Sequence, residues 1–467
     1  MLTTREPIAV PEVRGLPLIG SAAACARDFK GFLLEQWRQH GDVIRFTIGR
    51  DRFTFFADPD DVAHLLRDNP QDFTKAPMAF LEIPMRRSML ILDGELWHRR
   101  RGAFRASLNV SAAAGTASQV VDKVGAMVER WTAFADEGRE LEASEEILAM
   151  QLDLTLSTLL GPAVTEADRR ALHGVAKTMP WFNDRNLAMP VIPPSLPLPW
   201  NRRMRSTAAA LLDVVTSAVE REDAATREGA HVLARVARAG ALAPEELRDE
   251  LIGLIVAGYE STYCTLSWML HVLSSHPGWQ ERVADEVRSL AGDAPLEAAH
   301  LSGLTVTRRV VDEVLRLYPP FPMLVRSPAR PTDVRGVAVQ PGTWVMVSQW
   351  VTHRHPAHWI DPDRFDPDRF LPEAARERPA GAYFPFGEGP RLCVGRQPGL
   401  VALVLATATI LRAVQVSPAP GHAPPVPTGI AIRPQGGVWI HVTRRPTSAG
   451  TARAEGSTAR QPAGVPE

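Results

Sequence analysis

The stretch Phe386-Gly-Glu-Gly-Pro-Arg-Leu-Cys-Val-Gly395 places one cysteine among glycines, a phenylalanine and an arginine. A thiolate that serves a haem iron needs an apolar wall, N–H donors near the sulfur, and glycines that let the loop approach the porphyrin. The apolar residues that follow predict a helix over about 399–414, whose positive N-terminal end would stabilise the thiolate. A lone cysteine is usually a small buried hydrophobe, but the spacing F-x-x-G-x-R-x-C-x-G favours Cys393 as a haem ligand.

The composition is that of an ordinary globular protein. Of 467 residues, 45% are hydrophobic and 22% charged, and the net charge of −1 predicts no general attraction to nucleic acid. The three cysteines form no C-x-x-C pair, which argues against a zinc knuckle or a disulfide framework and for a cytoplasmic location. The N-terminus has neither a signal-peptide pattern nor an apolar run of ~20 residues, so no membrane anchor is expected.

The pattern of apolar residues predicts a mainly helical chain with small β-sheets. Residues 42–57 alternate as two short strands, residues 331–350 are typical of a small sheet, and strands near 430–442 are expected to close the fold. The proline-rich segment 179–200 is predicted to be a long loop of the kind that covers functional sites. The longest helix is expected from Pro244 to about Ser275, and its apolar middle indicates burial.

Polar residues interrupt this buried helix at Gly258-Tyr-Glu-Ser-Thr262. A hydroxyl and a carboxylate in an apolar helix can loosen its hydrogen bonds and hold water, although the preceding turn can also satisfy them. Two further pairs share helix faces. Glu313 and Arg316 are spaced i, i+3, and Trp97 and Arg101 are spaced i, i+4. Each pair has a plainer interpretation as an ordinary solvated surface.

Together these motifs resemble the cytochrome P-450 family of haem-thiolate monooxygenases, from the N-terminal proline segment to about residue 445. The resemblance implies a mainly α fold with small β-sheets, in which haem lies between the long distal helix and the helix after the cysteine loop. It implies one domain over 1–445, and the composition of 446–467 predicts a disordered tail. The implied cofactor is haem b with Cys393 on the iron. The implied reaction inserts one oxygen atom from O2 into a lipophilic small molecule, by hydroxylation or epoxidation.

The family's functional positions fall on particular residues of this chain. Its acid–alcohol pair for proton relay falls on Glu260 and Ser261; the family usually has threonine at the second position, so Thr262 could share that role. The residues that the resemblance assigns to haem contact are Trp97, Arg101, Ala257, Gly258, Arg326, Phe386, Gly387, Arg391, Cys393 and Gly395.

The resemblance also implies a structural cluster and a substrate pocket. Glu313 and Arg316, joined by Arg369, would hold the ligand loop in place without taking part in catalysis. A lipophilic substrate of natural-product or lipid metabolism is expected, because the positions that line the family's pocket are mostly apolar here: Phe80, Leu81, Met89, Leu90, Phe182, Met323, Leu324 and Thr428.

Electrons are expected to come from NAD(P)H through a separate ferredoxin reductase and ferredoxin, since no flavin or iron–sulfur segment is fused to the chain. Arg99 and Arg100 are interpreted as a solvated helix face that, with Arg396, could form a basic surface for an acidic ferredoxin. The histidines of residues 352–358 are interpreted as part of a surface connection and not as a metal site. The protein is expected to be a monomer.

Two alternatives stay open at this stage. One is a haem-thiolate enzyme with non-oxygenating chemistry, such as ring formation or dehydration, which the serine at position 261 keeps open. The other is a haem-binding protein without turnover.

Overall fold

The computed structural model describes residues 9–75, 87–188, 196–221, 229–429 and 431–446. The longer helices are α1 Ala22–His40, α2 Gly94–Arg105, α3 Ala117–Asp136, α4 Ala143–Leu160, α5 Glu166–Ala188, α6 Pro199–Arg221, α7 Val232–Ala239, α8 Pro244–Ser274, α9 Pro277–Ala291, α10 Thr305–Leu317 and α11 Arg396–Ala413. Short helical segments connect them at Pro59–Ala63, His64–Asp68, Pro70–Asp72, Val110–Ala114, Gly161–Ala163, Ala298–Ser302, Gln349–Thr352, Pro367–Phe370, Pro372–Arg376 and Gly389–Arg391.

The strands are few and short: β1 Val43–Ile48, β2 Asp51–Phe56, β3 Phe73–Lys75, β4 Leu141–Glu142, β5 Leu324–Pro328, β6 Thr332–Val334, β7 Val337–Val339, β8 Trp344–Val347, β9 Val414–Pro418, β10 Val426–Thr428, β11 Arg433–Gln435 and β12 Trp439–Arg444. The largest sheet has the order β1-β2-β8-β5-β3, and β10 and β11 form a separate two-stranded sheet. These elements confirm the predicted mainly helical fold with small sheets.

The strand pair predicted within residues 42–57 is present. β1 and β2 are antiparallel, with Val43 opposite Phe56 and Ile48 opposite Asp51. Phe55 packs in the apolar cluster beneath α1, whereas Phe56 belongs to the cluster on the other face of the sheet. Both faces of β2 are therefore buried, so that all four residues from Phe53 to Phe56 are buried and three of them are phenylalanines.

The distal helix α8 occupies the centre of the helical part and packs against α4, α6 and α11. Its first half contributes Leu251, Ile255 and Tyr259 to one apolar cluster. Its second half contributes Leu266 and Trp268 to another cluster that includes most of α11. The polar segment at Glu260 to Thr262 therefore lies where the two cores meet.

The predicted loop over 179–200 is wrong in its first half, because α5 continues through Pro180 to Ala188 and α6 begins at Pro199. A proline inside a helix removes one backbone donor and costs about 3 kcal/mol. Apolar burial in the preceding turns outweighs that cost, since Leu172, Val175, Ala176 and Met179 all lie in the core. The predicted disordered tail beyond about 446 lies outside the described residues. Among the described helices, none is both long and apolar enough to cross a membrane.

Candidate active site

The cysteine loop is shaped by left-handed glycines. Gly387 and Gly389 have φ of 72° and 68°. The backbone at Gly389 also passes so close to the segment His64–Asp68 that a Cβ there would overlap the Leu66 carbonyl and lie 2.8 Å from Arg67 Cα. The Cys393 N–H donates to the Phe386 carbonyl at 2.9 Å. These constraints fix the cysteine just before the N-terminus of α11.

The Cys393 side chain is exposed, whereas Cys25 and Cys264 are buried. Surrounding protein nevertheless raises the pKa of the Cys393 thiol by desolvation, against the lowering effects of the Gly395 N–H and the Arg101 charge. A ligand can therefore reach the Cys393 thiol, although the protein around the thiol excludes much of the water. A metal cation bound there would reverse the shift, since a coordinating thiol is deprotonated.

A cluster of partly buried cations lies beside this loop. The charges that act on the Lys75 ammonium are one carboxylate, Asp93, and three guanidiniums, those of Arg391, Arg326 and Arg101. Burial lowers the pKa of Lys75 to about 7 and that of Arg326 to about 10. The Asp93 carboxylate lies 2.6 Å from Arg391 Nη2, and it accepts the backbone N–H, not the ammonium, of Lys75 at 2.6 Å.

The haem propionates fit this cluster. Buried cations in excess of anions are costly unless a further anion compensates them. Lys75 and Arg326 lie directly opposite each other in the antiparallel pair β3–β5, a placement that is unfavourable for two like charges. A group that brings two carboxylates would offset two of the three excess positive charges. Arg101 also donates to the Leu392 carbonyl at 2.5 Å, so the cluster contacts the cysteine loop itself.

Trp97, which the sequence predicted, and Lys75, which it did not, both belong to this cluster. The Trp97 ring lies 5.4 Å from both the Lys75 Nζ and the Arg101 Cζ, which places the predicted Trp97–Arg101 face within the cluster. Lys75 itself was not expected. Its ammonium donates to the carbonyls of Met89 and, at 2.7 Å, Leu92. No local motif marks this lysine, because its partners are distant in sequence.

One face of α8 is accessible although nearly all of its middle is buried. Leu254, Ala257, Gly258 and Ser261 are partly exposed and recur at i, i+3, i+4 and i+7, so they form one stripe. The small side chain of Ala257 leaves room on this stripe, whereas a Cβ at Gly258 would lie 3.3 Å from Thr155 Cγ2 on α4. The helix is continuous through Gly258, and Ser261 Oγ donates to the Ala257 carbonyl at 3.0 Å.

The other two predicted catalytic residues flank the accessible stripe. Thr262 is buried, 6% exposed, and lies about 100° around the helix from Ser261. Glu260 is 4% exposed and lies about 100° away on the opposite side. Its Oε1 accepts from Arg433 Nη1 at 2.9 Å. Arg433, on β11, was not predicted, since nothing in its sequence surroundings indicates a distant carboxylate.

The predicted pocket residues are only partly described. Phe80, Leu81 and the side chain of Phe182 lie outside the described part of the chain. Leu90 approaches the distal helix at Gly253, and Leu324 reaches the cysteine loop at Gly387. The others are positioned as follows: Met89 is buried in an apolar cluster, Met323 is partly buried against the cluster beneath α1, and Thr428 is partly buried on β10.

The structure brings Glu313, Arg316 and Arg369 together. Two Arg316 nitrogens donate to the Glu313 carboxylate at 2.7 and 2.8 Å, and both side chains are wholly buried. The Arg369 Nε lies 3.4 Å from Glu313 Oε1. Arg316 also donates to the carbonyls of His353, Pro362 and Arg364, so the pair organises the chain before the cysteine loop.

The interpretation of residues 352–358 as a surface connection is wrong at His353, which is fully buried. The Phe384 N–H donates to its Nε2 at 3.0 Å, so Nδ1 carries the proton and donates to the Arg316 carbonyl at 3.3 Å. Burial lowers the pKa of His353 well below its usual value. The ring therefore links the Arg316 cluster to the chain that enters the cysteine loop. No group of three His, Cys, Asp or Glu residues suited to a metal occurs in the described ranges.

The interpretation of Arg100 as solvated is also wrong. Arg100 is 4% exposed, and its Nη1 donates at 3.1 Å to the wholly buried Glu250. The Glu250 carboxylate also accepts the Met89 N–H, at 2.8 and 2.9 Å to its two oxygens. Arg99 is exposed and paired with Glu246. Through Glu250, Arg100 therefore anchors the backbone at Met89, and it takes no part in a basic surface.

Comparisons with known proteins identify the family. The family model described as cytochrome P-450 matches residues 10–440. The chain is 28% identical over 449 residues to Protein LUTEIN DEFICIENT 5, chloroplastic, of Arabidopsis thaliana, covering 88% of this chain and 74% of that protein. It is 29% identical over 414 residues to cyclooctat-9-en-7-ol 5-monooxygenase of Streptomyces melanosporofaciens, covering 87% and 89%. It is 29% identical over 303 residues to pentalenene oxygenase of Streptomyces avermitilis, covering 64% and 67%.

Proposed function

This chain belongs to the cytochrome P-450 family of haem monooxygenases, and on that premise we propose that it oxygenates a terpenoid natural product with Cys393 as the iron ligand. The observation that carries the proposal is the accessible Cys393 thiol in a loop contacted by a partly buried cluster of cations. The substrate class rests on the bacterial relatives, two of which are named for oxygenating cyclooctat-9-en-7-ol and pentalenene.

Haem bound at this site supplies the iron at which dioxygen is activated for insertion of one oxygen atom into a C–H bond. Cys393 binds the iron, and the N–H of Gly395 stabilises the sulfur's negative charge. Lys75, Arg326 and Arg391 bind the propionates as cations. Trp97 and Arg101 also contact the propionates. The chain therefore holds the cofactor by charge at the propionates and by the Cys393 thiolate at the iron.

The accessible stripe of α8 faces the reaction. Ala257 leaves space for dioxygen, because a larger side chain there would fill it, whereas Gly258 lets α8 pack closely against Thr155 on α4. The Ser261 hydroxyl is a proton donor on the same stripe. The Glu260 carboxyl group lies beside the stripe and supplies protons. Thr262 is buried away from the stripe, so we assign it a packing role and assign the relay to Glu260 and Ser261.

Electrons reach the site from NAD(P)H through a separate ferredoxin reductase and ferredoxin, and the enzyme acts as a cytoplasmic monomer. Arg396 begins α11 close behind Cys393 and is partly exposed, which favours docking of an acidic partner at that face. Arg99 contributes less to this surface than the sequence suggests, because Glu246 neutralises it.

The substrate class is tested by difference spectra of the ferric enzyme. A cyclic terpene alkene and its alcohol should each produce a substrate-binding shift of the haem band at lower concentration than a straight-chain fatty acid. Tighter binding of the fatty acid would refute the terpenoid assignment. Turnover under labelled dioxygen should then place one labelled atom in the product; a product without label would instead indicate non-oxygenating chemistry.

A further inference from the structure

We propose that Glu250 is a positioning residue for substrate, because it fixes the turn Ser88–Leu92 on the distal helix and so places Leu90 at the edge of the substrate site. Affinity for the substrate and the position of oxygenation then depend on a carboxylate that is wholly buried and cannot touch the substrate. The inference rests on the site proposed above between Cys393 and α8, and it goes further by naming what holds one wall of that site.

The first support is that charged side chains hold the backbone of this turn on two sides. The Met89 N–H donates to both oxygens of Glu250, at 2.8 and 2.9 Å. The Met89 carbonyl accepts from the Lys75 ammonium, which also donates to the Leu92 carbonyl at 2.7 Å. Within the turn, the Leu92 N–H donates to the Ser88 carbonyl at 3.2 Å. The carboxylate and the ammonium together therefore fix both the place and the orientation of the turn.

The second support is the cost of the ion pair that Glu250 forms. Arg100 Nη1 lies 3.1 Å from Glu250 Oε1, and the two side chains are 5% and 0% exposed. Desolvation of such a pair often costs as much as the attraction between the charges returns, so stability alone is a weak reason for it. Burial raises the pKa of Glu250, whereas the Met89 N–H and the Arg100 charge oppose that rise. What the pair provides, and two apolar side chains would not, is an acceptor directed at one backbone N–H.

The third support is a close approach at Gly253, three residues after Glu250 and on the same face of α8. A Cβ at Gly253 would lie 2.7 Å from Ser88 Oγ, 2.9 Å from Ser88 Cβ and 3.4 Å from Leu90 Cδ1. The Ser88 Cβ is bonded to the backbone, so the turn itself would have to move to make room. One face of the distal helix therefore provides both the acceptor for the turn and the gap in which the turn lies.

The position of Leu90 connects this anchoring to substrate. Leu90 is 38% exposed, although Ser88 and Met89 in the same turn are buried. It approaches α8 at Gly253, next to Leu254, where the accessible stripe of the helix begins. A lipophilic substrate offers few polar groups for orientation, so the shape of an apolar wall decides how it lies. A shift of ~1 Å in such a wall is enough to cost up to about 100-fold in a reaction that depends on alignment.

The test uses two perturbations of the turn in the haem-loaded enzyme, each with a control. The double variant Arg100→Met with Glu250→Leu removes the acceptor without leaving a lone buried charge, and Arg100→Lys keeps the pair. Gly253→Ala pushes the turn, and Gly125→Ala is its control, because a Cβ at Gly125 on α3 would meet nothing within 4 Å. Difference spectra give the dissociation constants of a cyclic terpene alcohol, a straight-chain fatty acid and cyanide, which is too small to need the wall. The ratio of product isomers is measured as well.

The double variant and Gly253→Ala should each bind the terpene alcohol about 10-fold or more weakly and should change the ratio of product isomers. Their affinity for cyanide should be that of the wild type, because the iron and its thiolate ligand are untouched. Arg100→Lys should keep most of the affinity for the alcohol, since Glu250 still accepts the Met89 N–H. Gly125→Ala should behave as wild type in every measurement.

A folded double variant with wild-type affinity and a wild-type isomer ratio would overturn the inference. A parallel loss of cyanide binding would also overturn it, because that pattern indicates general damage to the haem site. Should the double variant not fold, wild-type affinity and isomer ratio in Gly253→Ala would be the refuting result. If the wild type binds the fatty acid more tightly than the alcohol, the terpenoid assignment fails, and the same losses are then expected for the fatty acid if Glu250 positions the wall.

Discussion

Replacement of Gly389 by alanine tests whether the close backbone contact at the cysteine loop is essential. Gly138 is a matched control, because its φ of 66° is nearly the same as the 68° of Gly389. A Cβ at Gly138 would meet nothing within 4 Å, whereas one at Gly389 would overlap the Leu66 carbonyl and crowd Arg67. The two substitutions therefore share the strain of a left-handed alanine and differ in the contact.

The expected magnitudes follow from that difference. A left-handed alanine costs roughly 1–2 kcal/mol, which is the whole effect expected for Gly138→Ala. Overpacking against backbone adds about 1–3 kcal/mol or more at Gly389, since neither loop can move without moving the other. With an unfolding entropy of about 2.1 cal/mol/K per residue, this extra cost corresponds, for a chain of 467 residues, to a melting temperature about 1–3 °C below that of the control.

The assay is thermal unfolding of both haem-loaded variants, together with the spectrum of the reduced, carbon-monoxide-bound enzyme. Gly389→Ala should lose part of the red-shifted band that reports thiolate ligation, because the displaced loop carries Cys393. Gly138→Ala should keep that band in full. Equal melting temperatures and equal bands for the two variants would refute the argument that this contact fixes the ligand loop.

Three further outcomes can be measured on the same enzyme. Arg100→Met should cost about 3–5 kcal/mol in urea unfolding by stranding Glu250, and adding Glu250→Leu should recover most of it; no recovery would contradict the pairing. His353 is neutral when folded, so the unfolded chain binds the extra proton and stability falls as pH drops below 6.5. The loss from this ring should reach about 2 kcal/mol at pH 5.0 and should be absent in His353→Gln, as comparison of the two pH profiles would reveal. Lys75→Met should speed haem transfer to apomyoglobin about 10-fold or more, and an unchanged rate would remove Lys75 from the propionate site.

Sequence patterns predicted the elements whose signal is local. The distal helix was expected from Pro244 to about Ser275 and extends to Ser274, because a proline start and a continuous apolar run are both visible in the chain. The strands within 42–57 were expected from alternation along the chain, which is also a local signal. Pro180 misled the prediction, since its effect on a helix depends on how much apolar surface the neighbouring turns bury.

The burial of charged and polar side chains could not be predicted. Arg100 and Arg99 are neighbours in the sequence and of one residue type, yet one is buried with Glu250 and the other is exposed with Glu246. His353 occurs among histidines that suggest a surface, yet it lies wholly inside. In each case the deciding partner is distant in the chain, and a local pattern contains no information about it.

The two cationic residues that the sequence did not reveal have one thing in common. Lys75 lies directly across the sheet from Arg326, and Arg433 lies directly across from Thr428. Both Arg326 and Thr428 were predicted site residues, so each unpredicted residue is the cross-strand neighbour of a predicted one. Strand register is read from alternation along a strand, but β3 and β11 each have three residues, which is too short for that signal. Pairing a predicted site residue with its register partner is therefore how the structure extends the site beyond the sequence motifs.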